Sequence, residues 1–488
     1  LREDLLNMFA NAGRDPRTFI LDLKARLAAC RIAQRRILDV LEKKGVDLFI
    51  GGLRKILADT AEAARKKVAE LPDGMFRHQV FMDCAGEDSS LIKLNLELEK
   101  RGETMRLNLR DSSPTIPDKP LNTYFQGVIG LAMVYLCGWF LHDLPANNAL
   151  LDILEWEFPE NSLVNASGET PTGVAPFIQT AFSQSFFHVG AKLIYSQDRL
   201  HAVAPWYTGF GFALYGGFNQ WGEPMADISA EMNGTGCGAR PDMDGVDVAG
   251  SFFATMSDCS DVETTEADRP FVYLFRNLFQ NHGMGRYRGG NGLGYGLVVH
   301  KVPLVFMGSL GFGSKFPSCT GLFGGYAAAT PAVHSIRKPG LDRLWAESSP
   351  AIPSSLLELE KGQSLGGFHE MHQVVTSFRP YEEGDVFLIA AGGGAGYGDV
   401  LERDPAAVAA DVKAGITTAW QARNVYKVVY DEVTFRVDQA ATSALREEAL
   451  AERLQLGQDY ETFEKEWLKR RPPAGDRKST RLNSSHVS

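Results

Sequence analysis

No stretch of this chain reaches the roughly 18 consecutive apolar residues that a membrane-spanning helix requires. The nearest approach, Gly127 to Leu141, is too short and reads as a buried helix. Cysteine is sparse: six residues, Cys30, Cys84, Cys137, Cys237, Cys259 and Cys319, lie far apart with no CxxC. That spacing argues against a cysteine-built zinc site or redox pair and points to buried free thiols in a reducing, cytoplasmic compartment. Basic charge is in deficit, with a net charge of −10. A nucleic-acid partner needs a basic face, and none is visible. The chain has no GxxxxGK[ST] phosphate loop, no GxSxG nucleophile elbow and no internal repeat of about 20 to 50 residues.

What is present is an ordinary globular composition, 44% apolar and 23% charged over 488 residues, enough for two or three packed units. The segment Gly384 to Pro405, GDVFLIAAGGGAGYGDVLERDP, is the most informative. Val386 to Ala391 reads as a buried strand, the glycines as a tight turn with positive φ, and Asp404-Pro405 as an N-cap and first-turn proline. The helix starts too far beyond the glycines for this loop to cradle a phosphate.

Helices are expected at both ends. Pro16 opens a long helix with a seam of Ile20, Leu23, Leu27, Cys30, Gln34, Ile37 and Leu41, stopped by Gly45. A second helix carries Leu57, Ala61, Ala64, Val68 and Leu71 on one face. The pair reads as a helical hairpin with a scaffold or subunit-contact role. Strands are expected within Phe76 to Asn108, Leu151 to Phe158, Lys192 to Tyr195, Val298 to Leu310 and Val374 to Ile389, with strand character at Val425 to Val437. The fold class is α+β: a helical segment at 1–75, a central α+β domain at 76–403, a helical region at 404–473, and a polar tail at 474–488 that resembles vector-derived sequence. The chain starts at Leu1 already in helical pattern, so its true start is expected upstream.

Two constellations can carry chemistry. Glu223 to Asp268 holds eleven carboxylates against the single base Arg240. Clustered oxygens, with Asp242, Asp244 and Asp247 at the centre, suit a hard cation, although their spacing is not that of an EF-hand; the alternative is a solvated acidic loop. Asn233 and Gly236 precede them, and a glycine-rich backbone there admits a close ligand. The charge then reverses through Arg269, Arg276, His282, Arg286 and Arg288. Arginine forks clamp carboxylate or phosphate, or else pair with the acids just upstream. The candidate catalytic residues are Arg286, Arg288 and Arg240, and the candidate substrate-binding residues are Asn233, Gly236, Asp242 and Asp244. His369 and His372 lack the spacing of a zincin helix and sit in a strand-like run.

Four segments in order, Leu144 to Asn165, GCGARPDMDGVDVAG from Gly236, GMGRYRGGNGLGYG from Gly283, and the GGGAGYGDVLERDP ending, resemble the hydantoinase B/5-oxoprolinase family. The resemblance is greatest to its acetone and acetophenone carboxylase branch, supported by the glycine-rich Met307 to Leu341 and by Ser257-Asp258 with Asp261-Val262-Glu263. It implies a B-type subunit working beside an ATP-using A-type subunit and a possible small third subunit. ATP would be handled on the partner, in agreement with the missing phosphate loop. It also implies a divalent metal (Mn, Zn or Mg) whose His and Asp ligands belong to a segment N-terminal to Leu1. The expected activity is ATP-dependent ketone carboxylation. The alternatives are hydrolysis of a cyclic amide such as hydantoin or 5-oxoproline, and a non-catalytic scaffold.

Overall fold

The computed structural model describes residues 2–13, 16–83, 90–207, 211–250, 259, 261–313, 316–329, 333–360, 365–372, 376–469 and 482–483. Helices α1 (Glu3–Ala12), α2 (Pro16–Lys44) and α3 (Val46–Ala69) come first. Strands β1 (Gly74–Met82), β2 (Ser90–Arg101) and β3 (Thr104–Asn108) follow. Next come α4 (Phe125–Tyr135), which runs into a π turn over Leu136–Phe140, then β4 (Leu154–Glu157) and α5 (Pro176–Ile194). The centre holds β5 (Phe212–Phe218), β6 (Pro224–Ile228), α6 (Val262–Asp268), β7 (Phe271–Phe279), β8 (Gly292–Val299), β9 (Leu304–Leu310), β10 (Val333–Arg337), α7 (Leu341–Ala346), α8 (Leu356–Glu360), β11 (Phe368–His372), β12 (Thr376–Glu382) and β13 (Val386–Ala390). Helices α9 (Pro405–Lys413), α10 (Ala419–Asn424), α11 (Gln439–Gln455) and α12 (Tyr460–Lys469) precede a short β14 (Leu482–Asn483). The fold is α+β, with helices at both ends and sheets between.

The strands form three sheets, ordered β1-β2-β3-β4 with β14 against β2, β11-β10-β13-β8-β7, and β12-β9-β5-β6. Every pairing is antiparallel except β3 with β4. The second and third sheets share a core of Tyr215, Phe271, Tyr295, Met307, Tyr381, Phe387 and Ile389. The opposite face of the second sheet, including Phe275, Val386, Leu388 and Ala390, is covered by Leu341, Leu344, Leu356 and Leu359 of α7 and α8. Burial on both faces explains why Val386 to Ala391 reads as an unbroken apolar run. The first sheet packs against α4 and α5 in a separate, larger core. The Asp404 side chain accepts a hydrogen bond from Ala406 N at 2.9 Å and so starts α9 at the expected place.

Several expected elements differ. Lys192 to Tyr195 closes α5 instead of forming a strand, because the helix is buried nearly all round and its apolar residues carry no period to reveal it. Of Leu151 to Phe158, only Leu154–Glu157 is strand, after a 3-10 turn over Asn148–Ile153. Val425 to Val437 forms no strand, only one isolated bridge between Tyr430 and Val437. The α2 seam is not buried at any residue. Side chains such as Leu38, Leu48 and Leu53 stand exposed along α2 and the start of α3, while the buried residues of α3, Thr60, Ala61, Ala64 and Val68, lie in its second half. Among the cysteines, Cys237 and Cys319 are buried free thiols as expected, but Cys30 is exposed; burial pushes the Cys237 thiol up to about 12. Cys84, Ser257, Asp258 and the tail 474–488 apart from Leu482–Asn483 lie outside the described residues.

Candidate functional site

The glycine motifs meet at one junction. Gly290 N donates to Cys237 O at 2.8 Å, Gly394 N to Gly290 O at 2.8 Å, Gly236 N to Gly392 O at 3.0 Å, and Ala239 N to Ala395 O at 2.9 Å. Backbone lies directly on backbone. A Cβ at Gly394 would sit 1.7 Å from Cys237 O, one at Gly289 1.9 Å from Gly394 O, and one at Gly236 2.0 Å from Gly290 O. The glycines after β13 are therefore there for close approach; of Gly392, Gly393, Gly394, Gly396 and Gly398, only Gly398 has positive φ, at 73°. The positive φ expected of these glycines is met at Gly398 alone. The space beside Gly236, expected to admit a ligand, is filled by the chain itself. Asn233 is buried next to it.

The junction is closed by charge. Arg403 makes a two-pronged pair with Asp244, Nη1 to Oδ1 at 2.6 Å and Nη2 to Oδ2 at 2.7 Å, and its Nη2 also reaches Asp411 Oδ2 at 2.6 Å. Arg288 Nη1 donates to Asp247 Oδ1 at 3.0 Å, and its Nε lies 3.4 Å from Asp411 Oδ2. Both guanidiniums are buried, with side chains 3% and 7% exposed. Burial pushes Asp244 up, but the hydrogen bonds and charge of Arg403 outweigh it and hold the carboxyl below its usual range. Asp244 and Asp247 thus have guanidinium partners, the pairing of the arginines with the upstream acids that the sequence left open, and neither the hard cation nor the solvated loop describes them; the bidentate geometry explains the preference. Asp227 pairs likewise with Arg269, and Arg276 Nε lies 3.8 Å from Glu231. Arg288, expected to face substrate, is engaged within the protein.

Arg240, Asp242 and Arg286 remain exposed around this buried cluster. The Arg286 guanidinium lies 3.5 Å from Glu402, and Arg240 N is bonded to Met243 O at 2.9 Å in the Asp242 turn. Arg403 and Asp411 were missed by the sequence reading; the ERDP run marked a helix start and gave no sign that its arginine turns inward.

A cavity of about 190 Å³ opens between the second and third sheets beside α6, lined by Tyr215, Asp227, Glu231, Arg269 and Tyr273 among others. Glu231 is 2% exposed and accepts hydrogen bonds from Ser229 Oγ and Tyr273 OH. Burial pushes the Tyr215 phenol up to about 12, and Asp227 adds to it. Burial and the Glu231 charge push the Tyr273 phenol up as well, so both phenols are protonated at physiological pH. His369 and His372 lie on the edge strand β11, His369 Nε2 3.0 Å from His334 Nδ1 and His372 Nε2 2.7 Å from Ser335 Oγ.

Three histidines are held without charge, His188 and His282 buried and His78 half-buried. His282 Nδ1 lies 2.8 Å from Asn291 Oδ1 inside the junction. Burial, then the Arg288 charge, bring it down to about 3. Burial brings His188 down to about 4 and His78 well below its ordinary value; their rings stack 4.1 Å apart. A histidine whose value is depressed on folding is protonated first in the unfolded chain. Its contribution is fully present above about pH 6.5 and is lost as pH falls from there toward the folded value. Urea unfolding followed from pH 7 to pH 4.5 is expected to show stability falling by about 1.4 kcal/mol per pH unit per histidine across that window. His282→Asn should flatten the slope, and a pH-independent midpoint would contradict the burial of these rings.

The sequence model of the hydantoinase B/oxoprolinase family matches residues 1–400, and the chain belongs to that family. It is 33% identical to the acetophenone carboxylase delta subunit of Aromatoleum aromaticum over 97% of this chain and 70% of that one. It is 26% identical to the acetone carboxylase alpha subunit of Xanthobacter autotrophicus over 93% of this chain, spanning 62% of that subunit's length. The caprolactamase subunit beta of Pseudomonas jessenii is 25% identical over 91% of this chain and 72% of its own. A nucleotide-free acetone carboxylase structure superimposes with a TM-score of 0.88 at 22% identity, over 95% of this chain and 64% of the other. The relatives are subunits of carboxylases and of an ATP-dependent amidohydrolase, as the four motifs led us to expect. No helix among the described residues is long and apolar enough to cross a membrane.

Proposed function

We propose that this chain is the B-type subunit of an ATP-dependent ketone carboxylase, handling a small ketone while an A-type ATPase subunit supplies activation. The observation that carries the proposal is the 33% identity to a carboxylase subunit sustained over 97% of the chain, against 25% to the caprolactamase subunit. The exposed apolar side chains of α2 and early α3 support a multi-subunit assembly. A small third subunit and a cytoplasmic location go with this reading.

In this proposal Arg288 and Asp244 are positioning residues. Their ion pairs tie the Gly236–Gly250 loop to the Gly283–Gly290 loop and, through Arg403, to the C-terminal helices. Asn233 and Gly236 help to pack the same junction. Arg240 and Arg286 are the exposed cations left to meet an anionic intermediate, and Asp242 is an exposed carboxylate left to a partner surface. The divalent metal the family implies finds no ligand set in Asp244 and Asp247, whose oxygens are taken by arginine, so no step is assigned to it here.

The test is reconstitution with an A-type ATPase subunit. ATP turnover is expected to depend on both bicarbonate and a ketone such as acetone or acetophenone. Turnover driven by a cyclic amide alone would favour the amidohydrolase reading. Arg240→Ala and Arg286→Ala are expected to lower turnover about tenfold or more with the fold intact, the loss typical of one charge-assisted contact. If neither variant changes turnover, these arginines have no part in it.

A further inference from the structure

Away from the junction, the chain just beyond two helices converges on a group no part of the proposed reaction uses. His142 follows the π turn that closes α4, and Asp198 and His201 lie on the short turn after α5. Ligand atoms of His142, Asp198 and His201 all lie within 4.8 Å of one another. His201 Nδ1 is 2.9 Å from Asp198, His142 Nε2 is 3.8 Å from Asp198 Oδ2, and the two imidazoles stack at 4.0 Å. The three side chains are 36%, 40% and 38% exposed, so an ion can enter from solvent.

We propose that His142, Asp198 and His201 form a binding site for a divalent transition ion of the zinc class. Two imidazole nitrogens and one carboxylate are the donor set of open zinc sites, with the remaining position left to water. The same set discriminates against magnesium and calcium, which call for oxygen cages. The surroundings favour a cation as well. Both helices direct their C-terminal ends, the negative end of the dipole, toward this corner. Tyr135 at the end of α4 packs on Phe186 and Phe187 in the middle of α5 with ring centroids 4.9 and 5.0 Å apart, which fixes the end of α4 against α5. Asp198 already orients His201 by hydrogen bonding and caps its turn, so little reorganisation is needed: the stacked rings open slightly and their lone pairs converge. A bound ion would pin the end of α4 to the end of α5 across a gap of 59 residues in sequence between His142 and His201.

The experiment is titration of the full chain, stripped with chelator, with Co²⁺ followed by visible d–d absorption and with Zn²⁺ by calorimetry. One equivalent of Zn²⁺ is expected to bind and to displace Co²⁺. His142→Ala and His201→Ala should each weaken binding tenfold or more. His369→Ala, at the other histidine cluster, should leave it unchanged. Both ligand positions are half-exposed, so these variants are expected to fold, and far-ultraviolet circular dichroism checks that they do. Retention of the site in His142→Ala and His201→Ala, its loss in His369→Ala, or no Zn²⁺ uptake by the unaltered chain would each overturn the proposal.

Discussion

Gly394→Ala is expected to cost about 4 kcal/mol or more of stability, enough to prevent the glycine junction from assembling. The added Cβ would lie 1.7 Å from Cys237 O and 2.1 Å from Cys237 C. Those are main-chain atoms held in place by hydrogen bonds on both sides, so no side chain can swing away to relieve the clash. Gly130 on α4 gives the opposite sign. It is exposed, with nothing within 4 Å of a Cβ. Gly130→Ala should therefore stabilise by about 0.5–1 kcal/mol through helix propensity. Urea unfolding of both variants, with the yield of soluble protein, checks the pair. A Gly394→Ala protein as stable as the unaltered chain would mean that the loops do not lie backbone to backbone.

Arg403→Met should be nearly as severe, at about 3–5 kcal/mol, the usual cost of removing one partner from a buried ion cluster. Asp244, Asp247 and Asp411 would then face Arg288 alone. Burial is the leading influence on Asp244 and pushes it up; Arg403 is what holds it down. Without Arg403 the folded carboxyl should titrate above its unfolded value, so acid should help the variant. In the unaltered chain the depressed carboxyl contributes stability above its unfolded value, which is lost only as pH falls through the folded one. The stability gap between the two proteins is therefore expected to narrow as pH drops from 7 toward 4.5. The difference cancels the contributions of His78 and His188; His282 acts in the same direction as Asp244, because Arg403 is among the charges that depress it and its removal lessens the acid penalty on the variant. A gap constant with pH, or a loss below about 1 kcal/mol, would show that the cluster is solvated after all.

Much of the fold was legible because local chemistry spoke for it. The apolar run Val386 to Ala391 announced a strand buried on both faces. Asp404-Pro405 announced the start of α9, and the order of the glycine motifs announced the family. Other elements were illegible for equally physical reasons. The end of α5 is buried nearly all round, which erases the helical period, and the α2 seam carries the spacing of a packed helix although none of its residues is buried. At the site, glycine in a sequence states only that the residue has no Cβ; it does not say whether turn, ligand or neighbouring backbone requires that. The sequence reading offered a turn and a ligand, and the structure supplies backbone.

The arrangement of charge shows the division most clearly. The eleven carboxylates and the run of arginines were both visible in the sequence, and so was the possibility that they pair. Which acid meets which arginine was not, since Asp244 and Arg403 stand 159 residues apart and share no local pattern. The same holds for His142 and His201, brought together only because two helices end at one corner. Residue order determined the class of fold, the strand and helix signals with a local period, and the family. Tertiary packing alone decided what each glycine touches, which charges are neutralised and which are left to the surface, because those outcomes depend on contacts between distant segments.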